Sequence, residues 1–304
     1  MMNIMGKRKF LYILSLAIII PGIIALLLWG LKLSIDFTGG TLLEIAGTQD
    51  VNAVKVIADE NKFENTIITT SGDLVVLKAK EIPDATHRKF IEDLKVKIPG
   101  ATENRFESVG PTMSKTITKN AFYSVGLASI FIVIYLAYAF KKVSKPLSPW
   151  EFGIMAVVAL IHDALVVVGV FAIFGHFLHI EIDSMFITAI LTIIGFSVHD
   201  TIVVYDRIRE KALKEGVDNF ESLVNRSILE TFSRSINTSM TVIMTLLVIY
   251  LFGGATIKHF ILALLIGITA GTYSSIFVAS ALLVESFNLK QKLRGRAKWK
   301  QKTA

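Results

Sequence analysis

The chain has 304 residues, 53% of them hydrophobic, with a formal net charge of +7 and no cysteine. A mean hydropathy of +0.59 lies well above that of ordinary soluble domains and excludes a wholly water-exposed globular protein. Without cysteine there are no disulfides and no thiolate metal sites.

The apolar residues come in blocks. Phe10–Gly30, Ala121–Phe140, Phe152–Phe174, Ser184–Tyr205, Ile236–Phe252 and Phe260–Val284 are each long enough, or nearly so, to cross a hydrocarbon core that needs roughly 20 residues. They predict a multi-pass α-helical membrane protein with six transmembrane helices. The four parts are 1–30 (N-terminus and helix one), 31–120 (external domain), 121–285 (helices two to six) and 286–304 (basic tail). Helix one is longer than a signal-peptide core and is followed by "LKLSIDF" rather than a cleavage site, so it reads as a retained anchor. Pro21–Gly22 sits mid-block, where a kink is expected.

Residues 31–120 form the one long segment between spans, with 12 basic and 13 acidic residues. "SIDFTGGTLLEIAG" reads as extended, and Asp36 with Gly39–Gly40 reads as a turn or bulge. "VNAVKVIADEN" has helical spacing at Val51, Val54, Ile57 and Ala58, with Asp50 as N-cap. "NTIITTS" and "DLVVLKAK" read as a hairpin joined at Ser71–Gly72–Asp73. "DATHRKFIEDLKVKI" is helical, with Asp84 as cap and a stop at Pro99–Gly100, and "ENRFESVG" reads as a last strand. The order β-α-β-β-α-β predicts a small α+β ferredoxin-like external domain. It contains no nucleophile–base pair, phosphate loop or metal-ligand spacing.

Lys and Arg number 3 before helix one, 3 between helices two and three, 6 between four and five and 7 after six. The two short loops on the other side carry only Lys258. This positive-inside pattern predicts cytoplasmic termini. It attributes the +7 charge to topology rather than nucleic-acid binding, with the tail lying against anionic lipid.

The remaining signals are ionisable groups inside spans. In "GFSVHDTIVVYDRIRE", Thr188, Thr192, Gly195, His199 and Asp206 form a polar stripe on helix four. Asp200 lies about 100° round from His199. At ~1.5 Å per residue it sits ~7–9 Å inside the cytoplasmic half. On helix five, Arg234, Thr238, Thr241 and Thr245 recur at helical spacing, and helix three carries His162–Asp163. Polar stripes avoid lipid, so these helices are expected to face each other or a partner. An Asp200–Arg234 contact would suit proton exchange, because desolvation and a neighbouring cation pull a carboxylate's protonation in opposite directions. Asp206, Arg207, Arg209 and Glu210 read as a solvated helix end. In helix six, Gly267 and Gly271 form a GxxxG continued by Ser274, Ser275 and Ala279, which predicts close helix packing. There is no HExxH and no Gly-x-Ser-x-Gly, so no catalytic residue, bound metal or cofactor is expected.

"DFTGG", "SVGP", "HIEID", "DTIVVYDRIRE", "SRSINTS" and "GTYSSIFVASAL" together resemble the SecD/SecF family of bacterial protein-export membrane subunits, on its SecF side. The small external domain suits SecF better than its larger-looped relative SecD. The resemblance implies the resistance-nodulation-division architecture and a SecD partner completing a twelve-helix unit. It also implies association with the SecYEG channel, YajC and SecA, and contact with an unfolded translocating polypeptide at the bacterial cytoplasmic membrane. The proton gradient is then the energy source. The family's proton-pathway acid and arginine fall on Asp200 and Arg234, with His199 standing where the family has Asn and Asp163 as a further candidate. A proton-driven small-molecule or lipid exporter half, an intramembrane enzyme and a passive scaffold are the competing readings.

Overall fold

The computed structural model describes residues 3–141 and 148–303. Basic residues counted above at 142, 145 and from 294 onward lie outside the described side chains. The chain divides into two units, Leu33–Phe122 and Met1–Lys32 with Tyr123–Ala304.

The smaller unit begins with a single helical turn, α2 (Ile35–Thr38), after helix α1 (Arg8–Trp29) of the other unit. The extended start expected here is therefore a helical turn, which Ser34 caps by accepting the Asp36 N–H. Gly39 ends it at φ 73, and Gly40 enters strand β1 (Gly40–Ala46) at φ 121. Only glycine fits at position 40, because a Cβ there would lie 2.7 Å from the Ala79 carbonyl oxygen.

There follow α3 (Val51–Glu60), β2 (Ile67–Ser71), β3 (Leu74–Ala79), α4 (Asp84–Lys97) and β4 (Thr102–Val109). The expected β-α-β-β-α-β order is present, in an antiparallel sheet ordered β2-β3-β1-β4. Asp50 caps α3 by accepting the Ala53 N–H at 3.0 Å. Gly72 turns the β2–β3 hairpin at φ 60, with Ser71 opposite Leu74. Asp84 is not a cap; it is the first residue of α4, and Pro83 holds the cap position without a side-chain bond. One face of the sheet contributes Leu43, Ile45, Val75 and Leu77 to a core closed by Val54, Ile57, Phe90 and Leu94 of the two helices. Alternate burial along β3 is the period-two pattern of a half-covered strand.

Among the described residues, six helices are long and apolar enough to cross a membrane, and they lie wholly or mostly in the larger unit. They are α1, α5 (Pro111–Ala139), α6 (Pro149–Phe177), α7 (Ser184–Glu215), α8 (Phe220–Phe252) and the composite sixth of α9 (Lys258–Tyr273), a π turn (Ser274–Val278) and α10 (Ala279–Thr303). The boundary between units falls inside α5. Several helices outrun their apolar blocks. The block at Ile236–Phe252 lies in a helix that starts at Phe220, capped by Asn219. The extensions carry charge and satisfy it locally. Arg207 and Lys211 of α7 both pair with Glu230 of α8, and Asp206–Arg209 and Arg207–Glu210 pair within α7. Residues 206–210 are thus a charge-paired stretch of a helix that continues to Glu215, rather than the helix end expected.

Burial ranks the helices. The apolar windows of α6 and α7 are 50% buried and that of the sixth helix 61%, whereas α5 reaches 6% and α8 17%. Glycine decides the closest crossings. Helix α1 continues unbroken through Pro21, and Gly22 lies against Gly169 of α6, where a Cβ on either would meet backbone within 3 Å. Gly267 and Gly271 bring α9 onto Ile193 and Ser197 of α7, so the GxxxG packs within this chain. Tyr205 of α7 is enclosed by Phe140 and Phe152, with its hydroxyl donating to the Ala279 carbonyl at 3.0 Å.

Candidate functional site

Helix α7 turns one face into the bundle, carrying Ile193, Ser197, Asp200, Thr201 and Val204. Asp200 is 2% exposed. Its Oδ2 accepts a hydrogen bond from Ser239 of α8 at 3.1 Å, and Ser239 accepts from Thr272 of α9 at 2.7 Å. Three helices thus meet at this carboxylate through two hydroxyls.

Asp163, on α6, is fully buried. Its Oδ2 accepts from Ser197 at 2.6 Å and from Ser274 at 2.8 Å. Its Oδ1 lies 3.0 Å from Nδ1 of His162. Ser275 extends the cluster: it donates to the Ser197 carbonyl at 2.9 Å and faces the Thr201 hydroxyl at 2.9 Å. A buried carboxylate in an apolar bundle is costly unless hydrogen-bonded, and these hydroxyls supply the bonds.

The two stripes read from the sequence lie elsewhere. Thr188, Thr192, Gly195, His199 and Asp206 are all exposed on this chain. So are Arg234, Thr241 and Thr245 of α8. The stripes do not face each other, and no ion pair joins Asp200 to Arg234 among the described residues. The reason is angular. Ser239 follows Arg234 by five residues, about 140° round the helix, so when Ser239 faces Asp200 the arginine points away. The expected contact is replaced by Ser239.

The structure therefore brings Asp200 and Asp163 into one hydroxyl-rich region of the bundle and leaves His199 and Arg234 on its surface. Ser197, Ser239 and Thr272 were not legible as site residues. Single hydroxyls in apolar helices commonly bond back to their own carbonyls, and only the neighbouring helix distinguishes these. Ser274 and Ser275 were visible, but as small packing residues. Among the described residues no group of three possible metal ligands occurs.

Residues 90–288 match the family model for the C-terminal part of the protein export membrane proteins SecD/SecF, and residues 30–51 match the SecD/SecF GG motif. The protein translocase subunit SecF of Thermobaculum terrenum is 48% identical, over 93% of each chain. The subunit SecDF of Bacillus subtilis is 35% identical over 91% of this chain and 37% of its own length. Among solved structures, the translocon-associated membrane protein SecDF from Thermus thermophilus superposes with a TM-score of 0.81 at 31% identity, covering 94% of this chain. A SecDF structure in a super-membrane-facing form superposes with a TM-score of 0.69. This chain spans about two fifths of those longer SecDF chains.

Proposed function

Because the chain belongs to the SecD/SecF family of protein-export membrane proteins, we infer that it is an accessory subunit of the Sec export machinery that couples proton flow to late translocation. The relatives that join SecD and SecF in one name support a SecD partner for this chain. SecYEG, and with it YajC and SecA, is the wider assembly in which the pair acts on an unfolded polypeptide.

The exposed polar stripes support the partner reading. His199 and Arg234 are unsuited to lipid, so a second six-helix half is their natural cover. On this reading Arg234 meets its counter-charge only in the assembled pair. The Lys and Arg distribution supports cytoplasmic termini in a bacterial cytoplasmic membrane. The Leu33–Phe122 unit is then outside, as a ferredoxin-like domain against the emerging chain.

The observation that carries the proposal is Asp200, a carboxylate enclosed within a membrane-length helix and tied to two other helices by hydroxyls. Adding or removing its proton changes whether Ser239 must donate to it, which changes how α7, α8 and α9 pack. One proton crossing ~100 mV supplies roughly 2.3 kcal/mol, enough to bias a two-state arrangement tens-fold. In proteoliposomes holding the assembled translocase, Asp200→Asn removes gradient-dependent stimulation of preprotein transport and leaves assembly intact. Full stimulation by that variant overturns the proposal.

A further inference from the structure

His162 has one nitrogen on Asp163 and the other, Nε2, buried without a hydrogen-bond partner. The ring lines an apolar groove between α1, α6 and α9, beside Ser15, Val166, Thr269 and Tyr273. An imidazole engaged on one side and open on the other is placed to take a proton from one direction and pass it in the other.

The hydroxyls around the carboxylates are divided in a telling way. Each has one proton and, here, two acceptors. Ser274 Oγ reaches Asp163 at 2.8 Å and the Gly271 carbonyl at 3.2 Å. Thr272 Oγ1 reaches Ser239 at 2.7 Å and the Ile268 carbonyl at 2.8 Å. Ser197 Oγ reaches Asp163 at 2.6 Å and Ser275 at 3.3 Å. A rotation about the Cβ–Oγ bond moves the Ser274 or Ser197 proton between Asp163 and another acceptor, and the Thr272 proton between Ser239 and its own helix. Ser274 and Ser275 also open the π turn, a local distortion that recurs at functional sites.

We propose that His162 and Asp163 form a second proton-exchange site, whose charge state is passed to Asp200 by the hydroxyls of Thr272, Ser274 and Ser275 on the sixth helix. This rests on Asp200 being a proton carrier. A proton arriving at His162 Nε2 forms an N–H bond there. The Nδ1 proton passes to Asp163 Oδ1, so one N–H breaks and one O–H forms. The ring ends neutral, the carboxylate ends as the acid, and the pair has gained one proton. Ser274 is then free to turn to Gly271, which shifts the sixth helix where α9 meets the π turn, next to Thr272, and Thr272 reaches Asp200 through Ser239. The groups that face the pair are few. The sixth helix presents Tyr273, whose ring centre lies 6.4 Å from that of His162. Helix α7 presents Ser197, with Asp200 three residues on, and α1 presents Ser15, with Tyr12 a turn earlier.

The test is infrared difference spectroscopy between acid and alkaline pH on the full chain with its partner subunit in proteoliposomes, run beside the transport assay. The expected result is that Asp163→Asn removes one protonated-carboxyl C=O component and the gradient-dependent stimulation. Ser274→Ala shifts the frequency of that same component, His162→Gln shifts the pH midpoint of stimulation, and Thr272→Val moves the component that Asp200→Asn removes. A wild-type spectrum and pH profile in Asp163→Asn overturns the proposal. Should that variant not assemble, unchanged carboxyl components in both Ser274→Ala and His162→Gln overturn it instead. Loss of stimulation in Asp200→Asn but not in Asp163→Asn sinks this inference alone, whereas retention in Asp200→Asn sinks the reading beneath it.

Discussion

Asp200 of α7 is answered by the Ser239 hydroxyl of α8 at 3.1 Å, and not by the arginine five residues earlier on the same helix. Ser239 and Arg234 therefore separate in experiment. Ser239→Ala removes the donor from a buried acceptor and costs about 1–3 kcal/mol of stability. Arg234→Met alters an exposed side chain and stays within about 0.5 kcal/mol in the isolated subunit. Unfolding of the subunit alone, in a detergent titration, checks both. Equal destabilisation by the two substitutions contradicts the arrangement.

The glycine contacts divide by what lies opposite. At Gly22 and Gly169 the obstacle is backbone, which cannot turn aside, so Gly169→Ala forces α1 and α6 apart and costs about 1–3 kcal/mol. At Gly267 the obstacle is the side chain of Ile193, 2.2 Å from where a Cβ would stand. Gly267→Ala is expected to be rescued in large part by Ile193→Ala, with a coupling above about 0.5 kcal/mol in a double-mutant cycle. Strict additivity would show that the two residues do not touch.

Gly40 of the GG motif combines φ 121 with the Ala79 carbonyl beneath it. Gly40→Ala is strained in both respects and is expected to cost more than about 1 kcal/mol, whereas Gly72→Asn, in an open turn, is expected to cost less. Protease protection of the Leu33–Phe122 unit in the full chain reads the difference. Comparable protection in the two variants would remove the steric account of the motif.

Lys80 donates to Glu64 at 2.9 Å, which holds the Glu64 carboxyl below its ordinary range and the lysine above its own. A depressed carboxylate contributes above its unfolded pKa and loses that contribution as pH falls through the folded one. A raised lysine contributes below its unfolded pKa and loses it as pH rises through the folded one. The pair is therefore formed across neutral pH and released at both extremes. Lys80→Met is expected to return the Glu64 titration, followed by NMR, to the usual carboxylate range. Because both groups are fully exposed, no change in Tm should accompany it.

Much of this molecule is written in one dimension. Six apolar blocks, the Asp50 cap, the Gly72 turn and the β-α-β-β-α-β order depend on local composition and period, and those survive any arrangement of the helices. The presence of carboxylates within apolar helices is equally local. What cannot be read this way is how each helix is rotated against its neighbours. Periodicity places Asp200 about 100° from His199 and Ser239 about 140° from Arg234, but says nothing of which member turns inward. Packing settles that choice. Gly267 and Gly271 admit α7 closely enough for Ser197 to reach Asp163, and Gly22 meets Gly169 from a distant part of the chain. The inward faces are those where small residues and hydroxyls let backbones approach and buried oxygens find donors. The guanidinium of Arg234 and the imidazole of His199, on the visible stripes, are left outside that seam.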